Sequence, residues 1–257
     1  MSQPASTRLR PIAALKAMRN LQRDREDTAQ VFLLIEALRG KTTLRQFARF
    51  RASDTGRAVL ADRRRLLDQL SDRTALAALP AGTLGRAYYD FMAEENLSAE
   101  ALVAASRVVK RPPATDGLAQ FRERNRDMHD LLHIVTGYGR EPLGEACLVA
   151  FSFAQTGLKG FALVAINAAR RIAHVRRGQP IRRAVFEGYR RGRAAKWLIG
   201  ADWEALLSEP VEAVRAQCAV RPAKYYSKIV AALHDGQVLH NGQPAPVEAR
   251  PVAAIPG

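Results

Sequence analysis

Apolar positions along this chain recur mostly at intervals of three and four, the spacing of one face of an α-helix. Asp24 to Leu38 (DREDTAQVFLLIEAL) begins with acids and is followed by Gly40. That order suits the helix dipole at the start and a left-handed cap at the end. Thr83 precedes LGRAYYDFMAEEN and Ser98 opens SAEALVAASRVV, so both are predicted N-caps. A further helix is predicted from Gln120 to Thr136, and another starts at Pro142, which fits a first helical turn. Strict apolar–polar alternation is nearly missing, so few strands are expected. The pattern predicts an all-α fold, a single-domain multi-helix bundle.

Breaks in the pattern set the boundaries. Lys110 to Asp116 (KRPPATD) carries paired prolines and is predicted to be a loop inside the domain. The domain is expected over residues 1–234. Residues 235–257, rich in Gly, Pro and Ala, are expected to form a flexible tail. No repeat is evident. Leu148 to Ile166 is the most apolar stretch, but Gln155, Thr156, Gly157, Lys159 and Gly160 interrupt it, so it does not read as a membrane span.

Composition adds size, charge and compartment. At 257 residues and 47% apolar, the chain can bury a substantial core. Lys and Arg total 40 against 25 Asp and Glu, a net charge of +15, which calls for an anionic partner or surface. The two cysteines, Cys147 and Cys218, form no CxxC pair, which suits a reducing, cytoplasmic setting. The N-terminus lacks the long apolar run of a signal peptide.

The candidate chemistry lies in HDLLHIVTGYGREPLGE, residues 129–145. On a helix, His129 and His133 stand one turn apart on one face and could grip one metal ion. They could equally be packed or solvated histidines. Asp130 is about 100° further round the helix. It could be a ligand, an outer partner of a ligand, a base, or a plain cap or salt-bridge acid. Gly137-Tyr138-Gly139-Arg140 should break the helix. Glu145, near the start of the next helix, would then point back over the histidines. Four N/O donors suit zinc best, with iron, manganese, cobalt and magnesium as alternatives. In the zinc-protease pattern HExxH a glutamate activates water. Asp130 stands in that place and is one methylene shorter, which weakens the protease reading. Cys147 should face away from Glu145 and belong to the core.

This stretch, His-Asp-x-x-His, eleven residues, then Glu, resembles the ubiquinone (coenzyme Q) biosynthesis Coq-four family. Arg124, Arg126 and Asp127 ahead of the motif, Leu143-Gly144-Glu145, Gln155-Thr156-Gly157 and LPAGTLGRAY (79–88) carry the resemblance further. YRRGRAAKWLIGADWE (189–204) is similar to bacterial members. The resemblance spans roughly residues 10–218, and the tail after Pro222 has no counterpart.

The resemblance implies an all-α, often dimeric protein, attached peripherally to the membrane, here on the cytoplasmic face of the inner membrane. It implies a metal held by His129, Asp130, His133 and Glu145. It also implies replacement of the C1 carboxyl of a prenylated 4-hydroxybenzoate by hydroxyl. The alternative it allows is a non-catalytic, lipid-binding scaffold for other ubiquinone-biosynthesis proteins. Such a substrate needs an apolar lipid tunnel, for which 148–166 is the candidate, though ordinary core accounts for it equally. Asp130 is the candidate catalytic acid or base. Arg126 and Arg122, expected on the histidine face, could hold the ring carboxylate, although Arg126 could equally pair with Glu123.

Between Arg170 and Lys196 ten lysines and arginines face one acid, Glu187. Ile172, Val175, Ile181, Val185, Phe186, Tyr189 and Trp197 interleave with them, and His174 is expected on the same surface. That is the make-up of an amphipathic surface for an anionic membrane. No zinc-finger, RNP-like or OB pattern supports nucleic acid as the partner.

Overall fold

A computed structural model describes residues 8–24, 27–94, 103, 106–109 and 117–238, with Thr28 and 234–238 described by backbone alone. Among the described residues the protein is an all-α single domain without strands, save an isolated bridge between Thr83 and Pro210. The first seven helices are α1 (Pro11–Arg23), α2 (Thr28–Leu38), α3 (Thr42–Ala52), α4 (Asp54–Ala61), α5 (Leu66–Ser71), α6 (Arg73–Ala78) and α7 (Leu84–Glu94). After the next gap come α8 (Leu118–Asp127), α9 (His129–Thr136), α10 (Pro142–Thr156), α11 (Lys159–Val175) and α12 (Ile181–Ala194). The chain closes with α13 (Trp203–Leu206), α14 (Val211–Gln217) and α15 (Lys224–Val238).

The axis of the bundle is α10. From Leu143 to Ser152 every residue except Glu145 is buried, as expected of a helix that is apolar all round. It packs chiefly against α12 and α11. Gly188 and Gly192, one turn apart on α12, make the first contact very close. A Cβ on Gly188 would lie 2.5 Å from the Cys147 carbonyl oxygen, and one on Gly192 would lie 2.5 Å from that of Phe151. Only glycine lets the two backbones touch in this way. Trp203, Tyr88, Phe50, Phe121 and Leu131 complete the main core.

A second, smaller core joins α1 to α2 through Ala14, Ala17, Leu34 and Ala37, with Val164 of α11 against it. The outer side of α1 stays open. Ile12 is 84% exposed and Leu15 is 54% exposed.

Several boundaries differ from the sequence expectation. Asp24 does not begin α2. It closes α1, its N–H donating to the Asn20 carbonyl, and Asp27 stands at the N-cap of α2. Thr83 does cap α7, its hydroxyl accepting from the Arg86 N–H at 3.4 Å. The predicted helix from Gln120 to Thr136 breaks at Met128, whose N–H is shared between the Arg124 and Arg126 carbonyls in a tightened turn. Ser98 and Lys110–Asp116 lie outside the described residues. In the expected tail, α15 runs on through Asp235 to Val238, and residues 239–257 lie outside the described residues.

Candidate metal centre

The break at Met128 lets α8 and α9 serve different ends. On α8, Arg124 turns into the core and forms a two-pronged pair with Glu204 at 2.5 and 2.7 Å. On α9, His129, Asp130 and His133 face a common space. Gly137, at φ 72°, ends α9 in the left-handed conformation and donates its N–H to the His133 carbonyl. Glu141 then caps α10, accepting from the Gly144 N–H at 2.9 Å, and Pro142 takes the first turn. This hairpin brings Glu145 back over the histidines.

The geometry can be tested against a metal. His129 Nε2 and His133 Nε2 are 3.3 Å apart. Glu145 oxygens lie 3.4 Å from His133 Nε2 and 3.8 Å from His129 Nε2. A tetrahedral ion with bonds of about 2.1 Å requires donor separations of roughly 3.4 Å. The histidine pair therefore has the spacing of a tetrahedral zinc, and Glu145 faces each imidazole with a different oxygen. Asp130 is looser. Its carboxylate and the two imidazoles offer atoms within 4.8 Å of one another, so Asp130 must rotate to join the tetrahedron or act from outside it. Among the described residues this is the one such cluster found.

His133 is held in one tautomer. Its Nδ1 is 2.9 Å from the Tyr138 carbonyl oxygen, which can only accept, so Nδ1 carries a proton and Nε2 faces Glu145 and His129. Phe91 of α7 stacks on the His133 ring with centroids 5.7 Å apart. The electrostatics follow from crowding. Burial disfavours a proton on His133, but the hydrogen bond and charge of Glu145 prevail and hold its pKa above the usual value. Burial prevails at His129 and lowers its pKa, with Glu145 opposing. Burial alone would raise Glu145, yet the His133 hydrogen bond and both imidazoles bring it below the ordinary carboxylate range.

The site opens on a cavity of about 500 Å³. His129, Arg122 and Arg126 share its wall with Phe32, Leu132 and Phe161. The expected tunnel through 148–166 is not seen among the described residues. Leu148 and Phe151 are fully buried core, and from that run only Ser152, Thr156, Leu158 and Phe161 reach the cavity. Arg126 is not free. It pairs with Asp127 at 2.6 Å, not with Glu123, and donates to the Ser106 hydroxyl at 3.3 Å. Cys147 is buried, as expected of core, and burial drives its thiol pKa far up.

The cationic stretch divides between surface and interior. Arg182, Arg183, Arg190, Arg193 and His174 are exposed, with Val175 and Phe186 beside them. Arg191 is not. It is buried, donates to the Thr136 carbonyl at 2.8 Å, and lies over the Tyr138 ring. Ile181 and Val185 belong to the core. Trp197 is half-buried under Arg49 and donates to Gln46. No described helix is long and apolar enough to cross a membrane.

Phe91, Glu141, Arg191, Arg215 and Tyr226 support the hairpin, and none was singled out for it from the sequence. Glu141-Pro142, with Gly144 two residues further on, was a readable cap. The others act across long loops and left no local sign.

These features define the class: an all-α protein whose candidate centre is a two-helix hairpin carrying His-Asp-x-x-His and Glu. The family model described as Coenzyme Q (ubiquinone) biosynthesis protein Coq4 matches residues 9–224, and the chain belongs to that family. It is 29% identical over 174 residues to "Ubiquinone biosynthesis protein coq4, mitochondrial" of Botryotinia fuckeliana, covering 66% of this chain and 58% of that one. It is 33% identical over 128 residues to the Danio rerio homologue of the same name, covering 50% of this chain and 45% of that one. The chain thus spans about half the length of such relatives. A crystal structure of a Nostoc punctiforme protein named for ubiquinone biosynthesis superposes with TM-score 0.61 at 23% identity, covering 83% of this chain and all of that one. That likeness shows the fold.

Proposed function

We propose that this protein is a metal-dependent enzyme of ubiquinone biosynthesis, replacing the C1 carboxyl of a prenylated 4-hydroxybenzoate-type intermediate by hydroxyl. The observation that carries the reading is the His129–His133 pair at tetrahedral spacing, with Asp130 and Glu145 beside it, at the end of a cavity walled by arginines and aromatic side chains. The relatives' names place them in ubiquinone biosynthesis. His129, His133 and Glu145 hold the ion, with Asp130 beside them as fourth ligand or as base. A bound divalent metal supplies Lewis-acid polarisation of the ring oxygens, and iron or manganese would add dioxygen chemistry.

The chain's own residues do the rest. Arg126, exchanging Asp127 for the substrate, holds the ring carboxylate in a bidentate pair, with Arg122 beside it. Phe32, Leu132 and Phe161 exclude water from the prenyl end. Asp130 accepts a proton as the ring hydroxyl forms. The balance is complete when the carboxyl leaves as carbon dioxide. One atom of dioxygen enters the ring hydroxyl and the other becomes water, with two electrons drawn from an external reductant and three protons from solvent.

The exposed arginines of α12, with Phe186, suit peripheral attachment to an anionic membrane from which such a lipid is collected. The open side of α1 suits a second copy of the chain or another pathway protein. The same feature favours a scaffold as the second reading. Elemental analysis with an oxygen-dependent turnover assay, on wild type and His133→Ala, decides between them. Loss of one metal per chain together with turnover supports catalysis. A wild type that binds metal and lipid but never turns over supports the scaffold.

A further inference from the structure

We infer that Tyr226 is a positioning residue that sets the donor strength of His133 through a single peptide group. The inference rests on the metal reading above. Tyr226 lies on α15, beyond the family match, which ends at residue 224. Its hydroxyl accepts the Gly139 N–H at 2.8 Å. The Tyr138 carbonyl accepts from His133 Nδ1 at 2.9 Å. That N–H and that carbonyl belong to the same planar Tyr138–Gly139 amide. Tyr226 and His133 therefore grip opposite ends of one dipole.

The arrangement has a direction. An amide whose N–H is engaged has a more negative carbonyl oxygen, because hydrogen bonds in series polarise one another. The Tyr138 oxygen then draws more strongly on the Nδ1 proton, and Nε2 gains basicity as a ligand. The hydroxyl stays neutral. Burial, with the Glu141 carboxylate beside it, keeps Tyr226 protonated far above neutral pH. Its lone pairs are thus available to the Gly139 N–H.

The seat is built for this contact. A Cβ on Gly139 would lie 2.9 Å from the Tyr226 oxygen and 2.3 Å from a Glu141 oxygen. The Tyr138 and Tyr226 rings meet edge to face at 5.0 Å, so the hydroxyl's position does not depend on its hydrogen bonds alone. Glu141 also caps α10, the helix that carries Glu145. One phenol thus ties together the turn, the imidazole and the helix of the third donor.

Tyr226→Phe removes one oxygen and keeps the ring. Three quantities are measured on the full chain beside a Tyr225→Phe control: zinc affinity by chelator competition, the His133 Nδ1–H proton shift in metal-free protein, and Tm. The expected result is zinc binding weakened about three- to tenfold, below the 10–100-fold typical of partners that touch a ligand directly. It comes with an upfield move of the Nδ1–H signal, and Tyr225→Phe changes neither. A lower Tm with unchanged zinc affinity and unchanged His133 signal overturns the proposal, since it leaves only packing. Should Tyr226→Phe fail to fold, the same two readings on Glu141→Gln decide. That variant leaves the ring and Gly139 in place, and an unmoved His133 signal overturns the relay. A wild type that binds no zinc overturns the metal reading instead, and the His133 signal then decides the relay by itself.

Discussion

The hairpin of α9 and α10 and the helix pair of α1 and α2 are built in contrasting ways. At the end of α9, backbone acceptors that the helix cannot use itself have been given partners. Arg215 donates to the Ile134 and Val135 carbonyls at 2.7 and 3.0 Å, and Arg191 donates to that of Thr136. Beside the hairpin, the buried Arg124 is matched by Glu204. Between α1 and α2 the contact is a small separate core of Ala14, Ala17, Leu34 and Ala37, and the outer face of α1 leaves Ile12 and Leu15 in solvent. The difference separates two uses of a helix. One holds donor atoms in place by giving the free carbonyls at its end partners. The other offers surface.

Breaking the first region should cost most. Arg124→Ala leaves the Glu204 carboxylate buried and unpaired. It is expected to lower unfolding free energy by about 3–5 kcal/mol in urea titrations, with Glu204→Ala close behind. If the metal reading holds, adding a chelator to protein equilibrated at about 100 times Kd should remove roughly 2.7 kcal/mol. His133→Ala should be insensitive to the same chelator. Arg215→Ala deprives two carbonyls of their donor. Because the side chain is 31% exposed, water replaces part of what is lost. A loss of about 1 kcal/mol is expected, with weaker metal binding. The smallest effect belongs to the other region. Ile12→Ser on α1 should change stability by less than about 0.5 kcal/mol. A loss near that of Arg215→Ala would mean that α1 is already covered and would dissolve the contrast.

The sequence made these two regions unequally legible. The His129–His133 pair and the turn back to Glu145 depend on helix period and on glycine, so local rules suffice. The class of fold and the core role of Cys147 also follow from short-range pattern. Legibility fails where contacts join distant residues. Arg191 was counted with a basic surface because its neighbours are cationic. In the folded chain its partner is Thr136, 55 positions away. Trp197 likewise meets Gln46 across 151 positions. The break at Met128 was invisible because apolar spacing continues through it. Its effect is to send Arg126 to Asp127 and Ser106 before any substrate arrives. Asp24 serves the end of one helix and Asp27 the start of the next, a division that charge alone does not reveal.

Gly188 and Gly192 carry a consequence for motion. With the backbones of α12 and α10 in contact, amide hydrogens at Cys147–Phe151 and Gly188–Gly192 should exchange with solvent only when the whole domain opens. Those of α1, packed on one side only, should exchange through small local openings. The protein would then breathe in two tiers. α1 should open and return many times while the helix bearing Glu145 keeps its height above the histidines.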